Sequence, residues 1–257
     1  MVNYFTDGMD WARYARSRPN IHPTAVRLFR SFVGSDLRFC LALDVGCGTG
    51  QSTVALAEVA ERVIGIDSSA DMLKHATPWP NVEYRETRAE ATPFRDGEFN
   101  LVAAGQAYHW FEHGAFLAES HRLLREVGWL LVYTSWFTGE IREEPAFRDW
   151  FEKEHLGRYP TPPRDRTPLS EELARKHGFE LRGQEEFLNE LGMTLEHFTD
   201  YQLSTTNIIA AVREGTESFD NAERWLRDSL RPFFEGSPEK PFLFNGRTWY
   251  AQKPVGG

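Results

Sequence analysis

Asp44, Gly46, Gly48 and Gly50 fall within seven residues of the stretch LALDVGCGTGQS (41–52), and Asp67 follows the last glycine by 17 positions. Glycine in a strand-to-helix turn permits positive φ and lets another molecule approach the main chain closely. The pattern is that of a ligand held by backbone, with two carboxylates at hand. Farther on, QAYHWF (106–111) offers an amide at Gln106, a phenol at Tyr108 and an imidazole at His109. Of these, the imidazole exchanges its proton near neutral pH and suits acid–base work.

Two kinds of ligand compete for such a loop. Dinucleotide sites use G-x-G-x-x-G with no acid in front, because two phosphates nestle against the backbone. Here the spacing is G-x-G-x-G, and Asp44 stands two residues before the first glycine. A carboxylate in that place repels a pyrophosphate and suits a ligand bearing an ammonium group and a positive sulfur. At the end of a second strand, Asp67 can accept both hydroxyls of a ribose, which either kind of ligand carries.

The elements that would position these residues alternate. FCLALDV (39–45) is a near-continuous apolar run, as in a strand buried on both faces of a parallel sheet. RVIGID (62–67), VEYRET (82–87), FNLVAAG (99–105) and WLLVYTS (129–135) read as further strands. Helices are expected over 10–18, 24–33, roughly 52–60 and 112–127, with a short one in SSADMLKHA and with Gly128 stopping the fourth. This β-α alternation predicts a doubly wound, mostly parallel α/β sheet. Beyond it, 136–170 reads as a loop-and-helix insertion, FELRGQEEF (179–187) as a late strand, 195–235 as helical and 242–252 as a hairpin or final strand.

Composition narrows the class. The chain has 257 residues, 41% hydrophobic and 14% aromatic, enough for a sizeable core. Its net charge of −9, with no long basic run, disfavours binding to nucleic acid. Apolar runs are too short to span a bilayer, and the opening residues lack the blocks of a signal peptide. The two cysteines, Cys40 and Cys47, give neither a disulfide framework nor a zinc pattern, which predicts a cytoplasmic protein.

In order and spacing, LALDVGCGTG, VIGIDSSADML, RAEATPF, FNLVAAGQAYHWF and HRLLREVGWLLV resemble the successive motifs of class I S-adenosylmethionine-dependent methyltransferases. They are most similar to the type 11 small-molecule group that includes trans-aconitate methyltransferase-like proteins, and YARSRP (14–19) resembles that group's N-terminal segment. The likeness covers roughly residues 10–135. It implies a Rossmann-like, seven-stranded sheet with helical substrate-capping insertions, in one domain over 1–257. Within it, 1–33 would form N-terminal helices and a lid, 34–135 the cofactor-binding core, 136–240 the capping insertions around a late strand and 241–257 the final strand.

The implied cofactor is S-adenosyl-L-methionine. By resemblance, Asp44 holds the loop and approaches the methionine ammonium, Gly46 and Gly48 leave room for the methionyl and ribose portions, and Asp67 binds ribose. Ser68 and Met72 border adenine, and Ala89 and Glu90 lie near its amino edge. Gln106 faces the methyl donor, while Tyr14 and Arg18 close the pocket. Asn100 departs from the family, which usually has an acid there, but at the far end of the strand.

The acceptor would be a small molecule methylated on O or N, a carboxylic acid in the leading case. Aligning an activated donor and excluding water carries most of such a reaction. His109 is then a base or substrate orienter, with Tyr108 orienting beside it, or both build the pocket wall. A metal on His109 and His113 is not expected, since His109 precedes the helix and no third ligand is spaced for it. Trp136, Phe137, Arg142, Arg148, Trp150, Arg158, Tyr159, Arg164, Arg166, Tyr201, Trp225 and Phe233 either line an acceptor cavity or, for most arginines, balance surface acids. Absence of an NPPY-type motif at 106–109 and of a catalytic cysteine pair argues against adenine, glutamine or cytosine-carbon methylation. Alternatives are a nicotinamide-dependent oxidoreductase and a non-catalytic S-adenosylmethionine-binding protein. Oligomeric state is not legible.

Overall fold

The computed structural model describes residues 11–163, 165 and 167–256. Its strands are β1 (Phe39–Val45), β2 (Ala60–Asp67), β3 (Val82–Glu86), β4 (Phe99–Gly105), β5 (Leu124–Ile141), β6 (Glu180–Thr194) and β7 (Glu239–Gln252). They form one sheet in the order β3-β2-β1-β4-β5-β7-β6. Pairs β1·β2, β1·β4, β2·β3 and β4·β5 are parallel. Val127 N–H donates to Lys253 C=O and Lys253 N–H to Gly128 C=O, and these, together with Arg142 N–H to Pro241 C=O, run β7 antiparallel to β5. The sheet is therefore mostly parallel and reverses direction at one side. Order changes hand between β1 and β4, which marks the crevice above their carboxyl ends as the place for a ligand.

Helices α1 (Trp11–Ser17), α2 (His22–Val33), α3 (Gln51–Leu56), α4 (Ala70–Lys74) and α5 (His113–Leu123) accompany the parallel strands. The later ones are α6 (Pro145–Trp150), α7 (Leu156–Arg158), α8 (Glu171–Lys176), α9 (Leu195–Leu203), α10 (Thr206–Arg213) and α11 (Phe219–Leu230). None is long and apolar enough to cross a membrane among the described residues. By contacts the chain divides into two compact units. The first takes 11–19, 136–163 and 188–245 of the described residues, and the second takes 20–135, 165, 167–187 and 246–256.

In the second unit, Leu43, Val45, Ile64, Ile66, Val102, Ala104, Leu130 and Val132 face one layer of core with Phe116, Leu117 and Leu123 of α5. Phe29 of α2 packs on Phe39, Trp129 and Tyr250. Each such large buried side chain contributes roughly 1.5–3 kcal/mol. At the amino ends of the strands, Asn100 accepts a hydrogen bond from Leu41 N–H at 3.0 Å and joins β4 to β1. An amide there is a sheet fastener, well away from the loop.

The first unit is built from aromatic rings. Phe137 lies within 6.1 Å of Phe147, Phe151, Phe198, Phe242 and Phe244, and Phe198 stacks on Phe242 at 4.0 Å. Its arginines are mostly spent on acids: Arg142 on Glu190, Arg148 on Glu140 and Glu152, Arg158 on Glu217. The surface-balancing reading holds for these three. Arg164 and Arg166 lie outside the described residues.

Element boundaries need correction. Helix α5 stops at Leu123 instead of Val127, because Leu124 turns extended and pairs with Phe99. Apolar spacing at Leu123, Leu124 and Val127 suits either state, and pairing with β7 decides for strand. Gly128 therefore sits in an irregular stretch of β5, where an added Cβ would meet Arg125 C=O at 2.8 Å, and does not cap a helix. The end of α5 is closed instead by Lys253, whose Nζ donates to His121 and Leu124 carbonyls at 2.8 Å. Strand β5 also runs on through 136–141, a segment expected as loop, and β6 extends to Thr194. Helix α3 ends at Leu56, four residues early, since Ala60 already pairs with Phe39.

Candidate active site

At the carboxyl end of β1, Asp44 is completely buried. Its Oδ2 accepts from Ser52 and Thr53 hydroxyls, each at 2.6 Å, while Oδ1 has no hydrogen-bond partner among the described residues. Burial raises its pKa to about 6, against the lowering effect of the two hydroxyls, and Asp67 adds to the rise. A buried carboxylate with an oxygen to spare is costly unless something cationic or hydrogen-bonding meets it.

The glycine loop follows with φ of 71°, 54° and 84° at Gly46, Gly48 and Gly50. Two of these glycines are demanded from within. A Cβ at Gly46 would stand 2.6 Å from Ala107 Cβ and 3.0 Å from the Phe111 ring, so packing alone already requires glycine there. At Gly50 it would stand 2.2 Å from the Tyr84 hydroxyl. Gly48 differs: an added Cβ would meet only Met72 Sδ, at an ordinary contact distance of 3.5 Å.

Asp67, closing β2, ties this loop to α4. Its Oδ2 accepts from Gly48 N–H and its Oδ1 from Ser69 N–H, both at 2.9 Å. Burial pushes its pKa up, against the N–H groups of Ser69, Gly48 and Ser68. Each oxygen keeps a lone pair for another donor. Ser69, not Ser68, caps α4, accepting from Met72 N–H at 3.2 Å. Ala89 packs on the core, and Glu90 stands 3.9 Å from Arg88.

Beyond β4, Gln106 holds φ 60°, a left-handed conformation that costs a side-chain-bearing residue about 1–3 kcal/mol. Its amide is engaged by β5: Oε1 accepts from Ser135 N–H (2.9 Å) and Thr134 Oγ1 (3.1 Å), and Nε2 donates to Ser135 C=O (2.8 Å). Tyr108 is buried, stacked on His113 at 4.1 Å in the core with Phe116 and Leu169, and its hydroxyl has no partner among the described residues. His109 lies in a 3-10 turn (Tyr108–Trp110), half-buried against Trp110. That turn precedes α5, so His109 and His113 do not share a helical face. No group of three His, Cys, Asp or Glu that could hold a metal occurs among the described residues.

Tyr14 and Arg18 belong to the first unit, where the Arg18 guanidinium lies over the rings of Tyr14 (5.2 Å) and Tyr201 (5.4 Å). Cys47 is buried, its thiol pushed well up by burial and by Asp44 and Asp67, so it is an inert loop filler. Sequence reasoning missed Ser52, Thr53 and Tyr84. Hydroxyls at the first helical positions after an acid-led loop were a usable signal. Tyr84 was not, because only the register Gly65↔Tyr84 brings it to Gly50.

Comparison with known proteins bears on this geometry. The family described as Methyltransferase domain matches residues 43–132. A protein of Dictyostelium discoideum named as a methyltransferase is 38% identical over 122 residues, covering 47% of this chain and 46% of that one. An uncharacterized methyltransferase of Mycobacterium bovis is 31% identical over 163 residues, covering 62% and 61%. The chain thus spans about half the length of the first relative. Among solved structures, a type II methyltransferase of Anaeromyxobacter dehalogenans is 25% identical with a TM-score of 0.67, covering 93% of this chain and 98% of that one. Joined to the sheet order and the acid-led glycine loop, these matches show a methyltransferase-like domain over residues 43–132, carried on a sheet with the class I methyltransferase fold.

Proposed function

We propose that the protein transfers the methyl group of S-adenosylmethionine to a small-molecule oxygen or nitrogen acceptor, a carboxylic acid in the leading case. One observation carries the reading: a fully buried carboxylate, Asp44, with an unmatched oxygen beside a loop of three glycines held at positive φ. A ligand with an ammonium group and a sulfonium answers that charge, whereas a pyrophosphate would be repelled by it.

In this reading Asp44 faces the methionine ammonium and Asp67 accepts the ribose hydroxyls through the lone pairs its loop bonds leave over. Ser68 and Met72 border adenine, Ala89 and Glu90 lie at its amino edge, and Gln106 marks the methionyl end. When bound, the cofactor supplies a methyl group already activated on positive sulfur. The protein's own task is then alignment and exclusion of water. A carboxylate acceptor has no proton to lose. For a hydroxyl or protonated nitrogen, His109, the first imidazole after β4 in the chain, would take the proton.

Calorimetric titration with S-adenosylmethionine and, separately, NAD(P) tests the cofactor. Saturable binding of the first and none of the second is expected, and the reverse order sinks the proposal. Incubation with labelled donor and a panel of small carboxylic acids then reads out S-adenosylhomocysteine. Binding without release against that panel and a metabolite extract would mark a non-catalytic binder.

A further inference from the structure

Strand β4 gives way to Gln106 at a strained turn, and one residue of β5 holds that turn with both its main chain and its side chain. Tyr133 pairs with Gly105 across the strands, and its carbonyl accepts Gln106 N–H at 2.9 Å. Its phenol lies over Gly105 so closely that a Cβ there would be 2.3 Å from the hydroxyl oxygen. The ring is completely buried. What fixes its polar end is His22, the first residue of α2, whose Nδ1 is 2.8 Å from the Tyr133 hydroxyl with the rings at 74°. Histidine 22 is itself only 8% exposed.

Filling space over a glycine does not require a hydroxyl, since phenylalanine has the same ring. Burying one costs desolvation unless it is partnered, so this pair has a use beyond volume. Asp44 provides a clue, because its charge, after burial, raises the Tyr133 pKa and the two groups therefore feel each other. Strain held in place by several contacts is the mark of a position whose geometry matters.

The geometry points to Tyr133, held by His22, as the positioning residue that sets the Gly105–Gln106 turn at the methyl-donor end of the site. This rests on the methyl-transfer reading. It acts through Gln106 and the turn, so its loss should disturb the sulfonium end of the ligand more than the adenosine end.

The test compares affinity for S-adenosylmethionine with affinity for S-adenosylhomocysteine, which lacks the methyl group and its charge. In the double variant Tyr133→Phe/His22→Leu both members of this hydrogen bond go together, so neither is left without the other. We expect its preference for the methylated ligand to fall at least fivefold. His22→Asn, which keeps a hydrogen-bonding atom near the place of Nδ1, should retain most of the preference and serves should the double variant not fold. Wild-type preference in a folded double variant, or a His22→Asn variant as impaired as the double one, overturns the assignment and reduces the pair to packing. If the wild-type protein binds neither ligand, the methyl-transfer reading itself fails and this assignment falls with it.

Discussion

The glycine loop and the aromatic unit solve opposite problems. Around Asp44 the chain spends main-chain N–H groups and short side chains drawn from between Asp44 and Asp67, and leaves a carboxylate oxygen unmatched. Around Phe137 it brings together rings from 147, 198 and 242, far apart in the chain, and packs ring on ring, with His155, Thr199 and Gln202 buried in the same unit. The first region stores unfavourable electrostatics for a ligand to relieve. The second supplies stability by contact alone. Such a division predicts that binding and stability respond to different substitutions.

Truncating Phe198, fully buried and stacked on Phe242, should cost the most, about 3–5 kcal/mol of stability on change to alanine. Thermal unfolding measures it, and a loss below 1 kcal/mol would show that the rings are not a packed core. Asp44→Asn removes the charge and should weaken S-adenosylmethionine binding by roughly 3 kcal/mol, with no comparable fall in melting temperature. Equal losses in both would erase the contrast.

Asp67→Ala should weaken the same binding by about 1.5–3 kcal/mol, through lost ribose contacts and release of Gly48. Unchanged affinity in calorimetry would misplace the ribose. At the small end, Arg148 pairs with Glu140 and Glu152 in the open, so Arg148→Ala should change stability by less than about 1 kcal/mol.

Proton linkage sharpens the same contrast. Asp44 titrates at about 6 in the folded chain, above its ordinary 3.8, so the native state holds the proton more tightly than the unfolded one. Its contribution to stability is full below pH 4 and is lost as pH rises to 6, by roughly 3 kcal/mol. A cation prefers the ionised form, so affinity should climb about tenfold per pH unit up to 6 and then level. The Asp44→Asn variant should show neither slope. Melting curves and titrations from pH 4 to 8 decide the matter.

Most of the parallel sheet was legible because its strands are short apolar runs ending in an acid or a glycine, as at Asp44, Asp67 and Gly105. The loop was legible for the same reason: its chemistry is local. Sequence could not place Tyr84 or Tyr133, which reach the site only through register with Gly65 and Gly105. It also misread 124–127, where helical and extended spacing coincide and a partner more than a hundred residues away decides. The aromatic unit was the least legible region, since no period in 136–141 says that Phe137 belongs beside Phe242.

Strand order has a bearing on how the molecule is made. Because β7 lies between β5 and β6, the ribosome delivers β6 before the only neighbour that can join it to the sheet. During synthesis β6 therefore waits with an unpaired edge for some fifty residues. The same late arrival brings Lys253, which closes α5, so the step that completes this sheet also ties off a helix made more than a hundred residues earlier.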